Sequence, residues 1–191
     1  MAYHDIDEIL MEQELVPVAF KTEAKWLGHL DPGSASPDLP EGARLDIPFW
    51  MVVNLHHQDA IEVFAPKQYS QSRRNALIAE ATSVNLNEWS SYYYRLGLRL
   101  ENYLLDVGLM QVLQQAFIDR YRNILDLSQH SMEEDATDAT RRLDSLEKKL
   151  FNAGHAAVAE FRMWKRNEHG RMSAASIVSQ GRKRKAERSN D

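Results

Sequence analysis

The chain contains no cysteine, which removes disulfides, thiolate metal ligands and cysteine nucleophiles together and suits a reducing compartment. Long apolar runs are missing too. The longest, Phe49 to Val53, falls far short of the roughly 18 residues a membrane helix needs. The opening MAYHDIDEIL puts acids where a signal peptide carries a basic and then an apolar stretch, and it lacks the arginines of a transit peptide. A soluble, intracellular chain without a membrane partner is expected. Proline stops at Pro66, leaving the following 125 residues free of the strongest helix breaker.

Glycine is scarce and scattered, so no G-x-G-x-x-G stands ready for a dinucleotide and no G-x-S-x-G for a hydrolase. Gly28 and Gly33 have the spacing of a P-loop, but Ser34 and Ala35 stand where the phosphate-binding Lys and the magnesium-binding hydroxyl belong. None of the seven histidines forms H-E-x-x-H, and His56 and His57 are adjacent, so they point apart on a helix or a strand. Glu133, Glu134 and Asp135 sit in a polar stretch with no apolar pocket to raise a pKa. The expectation is a protein with no catalytic residues, no cofactor and no metal.

What is present is a composition of 43% hydrophobic and 27% charged residues, enough apolar area to offset ordering entropy. At 191 residues there is room for one ordinary domain or two small ones sharing a core. The net charge of −5 conceals an asymmetry: residues 1–42 hold nine acids against two bases, and residues 171–191 hold six bases against two acids.

Asp5 to Glu14 reads as a short helix, with Ile6, Ile9 and Leu10 at helical spacing and acids in its first turn. It is too short to be stable alone, so Ile6, Ile9 and Leu10 are expected to pack on the chain's own β-rich region or on a neighbour. LVPVAF and KWLGHL, broken by Pro17 and Gly28, read as two short or edge strands. Residues 31–42 carry three prolines and two glycines and read as a mobile loop. A strand through Leu45 and Ile47 follows, with Pro48 opening a short helix, and IEVFAP is a third strand ended by Pro66.

Helices are expected over about 69–81, 89–106 and 108–130, and over a long segment from Leu143 to Trp164 with Gly154 as a kink or close-packing point. The third has the clearest stripe: Leu109, Val112, Leu113, Ala116, Phe117, Arg120, Tyr121, Ile124 and Leu125. A weak helix over 173–180 precedes a disordered tail. The fold class expected is mainly α: a small β-rich domain over 1–66, an α-helical bundle over 67–181 and a basic tail over 182–191.

Tyr92, Tyr93 and Tyr94 sweep about 200° of a helix and cannot form one stacking platform; one is expected in the core, one at an interface and one exposed. For Arg182, Lys183, Arg184 and Lys185 three readings stand: nuclear import, phosphate neutralisation and a merely solvated tail.

DIDEIL (5–10) followed by LVPVAF, then RLDIPFW (44–50), FIDRYRNILDLSQ (117–129), RLDSLEKKLF (142–151) and AEFRMWK (159–165) together resemble, in order and spacing, the third Psf-type subunit of the GINS family. Residues 31–42 and 66–95 carry little of the match. The resemblance implies a β-rich domain before a helical one. It further implies a non-catalytic scaffold in a nuclear heterotetramer with three sister GINS subunits, which joins the MCM helicase ring and a RecJ-like companion protein and meets DNA only indirectly. The family has no catalytic residues to transfer. Contact candidates are Ile6, Ile9 and Leu10 on the first helix, Arg120, Tyr121 and Asn123 beside the stripe of the third, and Arg162, Trp164 and Lys165 at the end of the long one. A stand-alone nucleic-acid-binding module using the basic tail is the alternative, against which the acidic net charge counts. A small enzyme would need a pocket of convergent titratable groups.

Overall fold

A computed structural model describes residues 5–31, 33, 36–104, 108–130 and 140–166. Strand β1 (Leu15–Phe20) lies between β2 (Arg44–Pro48) and β3 (Ile61–Val63), antiparallel to both. Alternation sets the register: Val16, Val18 and Phe20 turn to the core from β1, opposite Leu45 and Ile47 of β2.

β1 is therefore the central strand, not an edge strand as its proline suggests. Pro17 accepts a hydrogen bond from the Phe64 N–H at 2.9 Å but has no N–H to return, and the β1–β3 ladder ends at Val63. The missing donor falls where the ladder has already stopped.

KWLGHL does not form a strand. Ala24 makes an isolated bridge to Leu39, and Gly28–Leu30 is a 3₁₀ turn. Gly28 lies so close to the 36–37 backbone that a Cβ would sit 2.0 Å from the Ser36 carbonyl oxygen, and its N–H donates to the Pro37 carbonyl at 3.0 Å. The described part of the expected loop is thus tied down, with Leu39 fully buried.

Helix α1 (Ile6–Glu12) precedes the sheet, and α2 (Phe49–His57) begins directly after Pro48, whose φ of −60° and extended ψ deliver the chain to its first turn. A 3₁₀ turn over Lys67–Tyr69 leads into α3 (Gln71–Glu80), α4 (Leu86–Trp89), α5 (Tyr93–Leu100), α6 (Leu109–His130) and α7 (Ser145–Lys165). The single helix expected over 89–106 is interrupted at Ser90–Tyr92. There the Asp144 carboxylate accepts the Tyr93 N–H at 3.0 Å, and the Ser145 N–H donates to the Ser91 carbonyl at 2.9 Å. A cap arriving from 51 residues downstream starts a new helix.

Residues up to Asn152 form one compact unit, and those from Ala153 onward another. In the first, one buried cluster takes in Val16, Val18 and Phe20 of the sheet, Phe49 and Val52 of α2, and Tyr69, Tyr93, Leu96, Leu100 and Leu113 of the bundle. Tyr69 stacks on Tyr93 at 4.9 Å and donates its hydroxyl to the Tyr93 carbonyl at 2.7 Å. Gly97 lets α5 approach its neighbours closely, since a Cβ there would lie 2.6 Å from Leu113 Cδ1. In the second unit, α7 continues to Lys165 with its last two turns exposed. The expected helix over 173–180, the basic run Arg182–Lys185 and the acids Glu133, Glu134 and Asp135 lie outside the described residues.

Candidate subunit interface

Helix α1 forms because Asp5 caps it, accepting the Asp7 N–H at 3.1 Å, with Asp7 and Glu8 in the first turn where the helix dipole favours anions. Its orientation removes one of the two expected places for its apolar face, the chain's own β-rich region, and leaves the other, a neighbour. Ile6, Ile9 and Leu10 are 71%, 51% and 43% exposed, and only Met11 is buried. The face packed inward is the charged one. Arg95 on α5 reaches Asp5 at 3.2 Å and Glu8 at 3.3 Å; Arg99, one turn on, pairs with Glu8 and with Glu12 at 3.6 Å; Lys149 of α7 pairs with Asp7. The Arg95 guanidinium holds the Asp5 carboxyl below its ordinary range. Burying an aliphatic side chain of this size contributes roughly 1.5–3 kcal/mol, so the outward face forgoes a large hydrophobic gain in the free chain.

Arg120 belongs to the interior, not to the surface. It is 3% exposed on the stripe Leu109, Leu113, Ala116, Arg120, Ile124 that α6 turns to the bundle. Its guanidinium donates to Glu147 Oε1 at 2.7 Å and Oε2 at 2.9 Å, and to the carbonyls of Ala81 (2.6 Å), Val84 (2.8 Å) and Arg142 (3.4 Å). Tyr94 donates its hydroxyl to Glu147 Oε1 at 3.1 Å, and Asp144 donates its N–H to Oε2 at 3.2 Å. Burial alone lowers the pKa of an arginine, but the Glu147 carboxylate overrides it and raises that of Arg120. Burial pushes the Asp144 carboxyl up to about 6 against the N–H groups that it accepts. A buried cation is tolerated only because every donor finds an acceptor.

Tyr121 and Asn123 lie on the outer side of α6. Tyr121 is exposed, as are Ile118 and Leu125, and its ring stands 6.2 Å from that of Phe117. Phe117 lines an almost wholly apolar groove of about 370 Å³ with Tyr94, Leu98, Met110, Leu113 and Leu146. Asn123 borders a second depression of about 300 Å³ floored by Ile124, Leu127 and Leu143. On the end of α7, Phe161 and Trp164 stack at 5.8 Å with both rings exposed, flanked by the exposed Arg162 and Lys165.

Of the three tyrosines, Tyr93 and Tyr94 are both buried and Tyr92 is half-buried, because α5 packs two adjacent sides rather than one. They offer no aromatic platform to a nucleic-acid base. Among the described residues no group of three His, Asp or Glu side chains converges as metal ligands, and no helix is long and apolar enough to cross a membrane.

Arg95, Arg99 and Lys149 escape a reading of the sequence, as do Asp144 and Glu147. One signal was available for the first pair: two arginines four residues apart on an otherwise apolar helix match the spacing of Glu8 and Glu12.

Residues 4–57 match the family model of the PSF3 N-terminal domain, and residues 68–165 match that of the GINS complex protein helical bundle domain. The Mus musculus DNA replication complex GINS protein PSF3 is 34% identical over 189 residues, covering 94% of this chain and 88% of its own length. The Xenopus laevis protein of that name is 32% identical over 184 residues with the same coverage. The Aspergillus fumigatus protein is 28% identical over 172 residues, covering 86% of this chain and 96% of its own length.

Proposed function

The chain belongs to the PSF3 family of GINS complex proteins, and from that premise we propose that it is a non-catalytic scaffold in DNA replication, one of four different subunits of a nuclear complex. Its work is interfacial. Three sister GINS subunits cover its outward apolar faces, and the assembled complex joins the MCM ring and a RecJ-like companion protein, with DNA reached through those partners. The observation that carries this reading is the orientation of α1, which spends its charges on the bundle and leaves Ile6, Ile9 and Leu10 in solvent. Such a face is unstable against association in a free subunit and suits a divided core in an obligate complex.

Co-expression with the three sister subunits tests the proposal. The expected product is one soluble particle with a single copy of each chain, whereas this chain alone is aggregated or oligomeric. A well-behaved monomer with a sharp two-state transition and no affinity for those subunits would overturn it. The basic run Arg182–Lys185 is proposed to direct nuclear import: deleting residues 182–191 should leave the complex intact and lower nuclear accumulation, and unchanged accumulation rejects that role.

A further inference from the structure

A seven-residue helix cannot hold itself together in water, so what fixes α1 also decides which way it faces. Hydrophobic burial alone would turn Ile6, Ile9 and Leu10 inward. They face outward because the opposite side is taken up by the buried Met11 and by ion pairs: Arg95 with Asp5 and Glu8, Arg99 with Glu8 and Glu12, and Lys149 with Asp7. Arg95 and Arg99 are themselves only 17% and 23% exposed, and both lie on α5, one turn apart, whose other side is locked into the core through Leu96 and Leu100. The cations are therefore fixed, and the helix is held against them.

We infer that Arg95 and Arg99, assisted by Lys149, are positioning residues that clamp α1 with its apolar face outward, and that this clamp presents Ile6, Ile9 and Leu10 to an apolar groove on a sister subunit. The inference rests on the scaffold reading above. The occupant follows from charge. With Asp5, Asp7, Glu8 and Glu12 drawn inward, the outward surface of Ile6, Ile9, Leu10 and Gln13 carries no charge. That fits the charge-depleted centre of a protein interface and gives a polyanion or an acidic segment nothing to bind. The arrangement has an unusual consequence. The contact is apolar, yet its affinity depends on ions, because screening loosens the clamp before it touches the interface.

The test uses the co-purified four-subunit complex, whose dissociation on dilution is followed by particle mass between about 0.1 and 1 M NaCl, a range over which the screening length falls from about 10 to about 3 Å. Wild type is compared with Arg95→Gln/Arg99→Gln and with the charge-preserving Arg95→Lys/Arg99→Lys. Affinity of the wild type should fall as salt rises. The Gln pair should be weaker by about fivefold at low salt, equal to about 1 kcal/mol, with a flattened salt dependence and faster amide exchange over residues 6–12. The Lys pair should recover most of the affinity.

A Gln pair that assembles like wild type at every salt concentration overturns the inference, as does a Lys pair as weak as the Gln pair. Should the Gln pair fail to fold, Ile6→Ser/Ile9→Ser/Leu10→Ser decides the matter, since those side chains are already in solvent: assembly should weaken with the helicity of the separately expressed chain unchanged, and undiminished assembly refutes the docking. A complex that forms without regard to Arg95 and Arg99 removes the clamp alone, whereas a chain that never enters the complex removes the scaffold reading and the clamp with it.

Discussion

Removing the charge from one side of the buried Arg120–Glu147 pair should be among the most damaging single changes available in the first unit. Arg120 makes five donations, two to Glu147 and three to the carbonyls of Ala81, Val84 and Arg142. Glu147→Gln leaves the cation buried but still solvated by those carbonyls, so the cost belongs near the lower end of the range for a broken buried pair, about 3 kcal/mol. Arg120→Met is worse. It leaves Glu147, which is 0% exposed, with only the Tyr94 hydroxyl and the Asp144 N–H as donors, and it strips the Ala81 and Val84 carbonyls of their partner. About 5 kcal/mol is expected, a third or more of the stability of an ordinary domain. The double variant Arg120→Met/Glu147→Leu removes both charges and leaves only neutral groups without partners, the Ala81 and Val84 carbonyls, the Tyr94 hydroxyl and the Asp144 N–H, for which about 2 kcal/mol remains once the desolvation cost of the two charges is gone. Thermal unfolding of the co-expressed complex reads these out at about 2–4 °C per kcal/mol for a chain of this size. The ordering Arg120→Met, then Glu147→Gln, then the double variant is the diagnostic. An Arg120→Met variant within about 3 °C of wild type, or a double variant as damaged as the sum of the singles, would refute the claim that the bundle closes around a satisfied ion pair.

Further outcomes follow from other contacts. Because the folded pKa of Asp144 is raised from 3.8 to about 6, the folded state holds this proton more tightly than the unfolded chain; the contribution is full below pH 3.8 and is lost as pH rises through 6. Asp144→Asn keeps an oxygen for the Tyr93 N–H but turns its NH2 toward the Leu146 N–H, which the second carboxylate oxygen accepts at 3.2 Å, so it should abolish this part of the pH slope and cost about 1 kcal/mol in the lost hydrogen bond; an unchanged slope in urea unfolding between pH 4 and 7 would contradict the raised pKa. Gly97→Ala gains helix propensity but drives a methyl to 2.6 Å from Leu113 Cδ1 and 3.1 Å from Tyr69 Cε1, for a net loss of about 1–2 kcal/mol that Leu113→Val should partly restore. Ile9→Asp, at a side chain more than half exposed, should leave the helicity of the separately expressed chain unchanged while impairing co-purification of the sister subunits; a loss of helicity would place Ile9 in the core.

What the sequence determined by itself was periodicity and punctuation. Alternation in LVPVAF and RLDIP specified strands buried on one side, the absence of proline after Pro66 allowed a helical second part, and the spacing from Leu109 to Ile124 marked the inner face of α6. These are local quantities, readable over a few turns of chain. The tertiary structure alone decided which face of α1 turns inward, because a helical pattern defines two faces without saying where the cations that choose between them will lie, and Arg95 and Arg99 are about 90 positions away. It also decided what Arg120 does on the inner stripe where its spacing puts it. A cation there has no reason to be buried until Ala81, Val84, Arg142 and Glu147 are brought around it, and no short window contains them. The same holds for the break at Ser90–Tyr92, where nothing in the local sequence supplies the Asp144 cap, and for Gly28, whose need to be glycine comes from the Ser36–Pro37 backbone pressed against it. Buried polar groups demand partners regardless of their distance along the chain, so the orientation of α1 and the closure of the bundle were settled by contacts that exist only once the chain has folded.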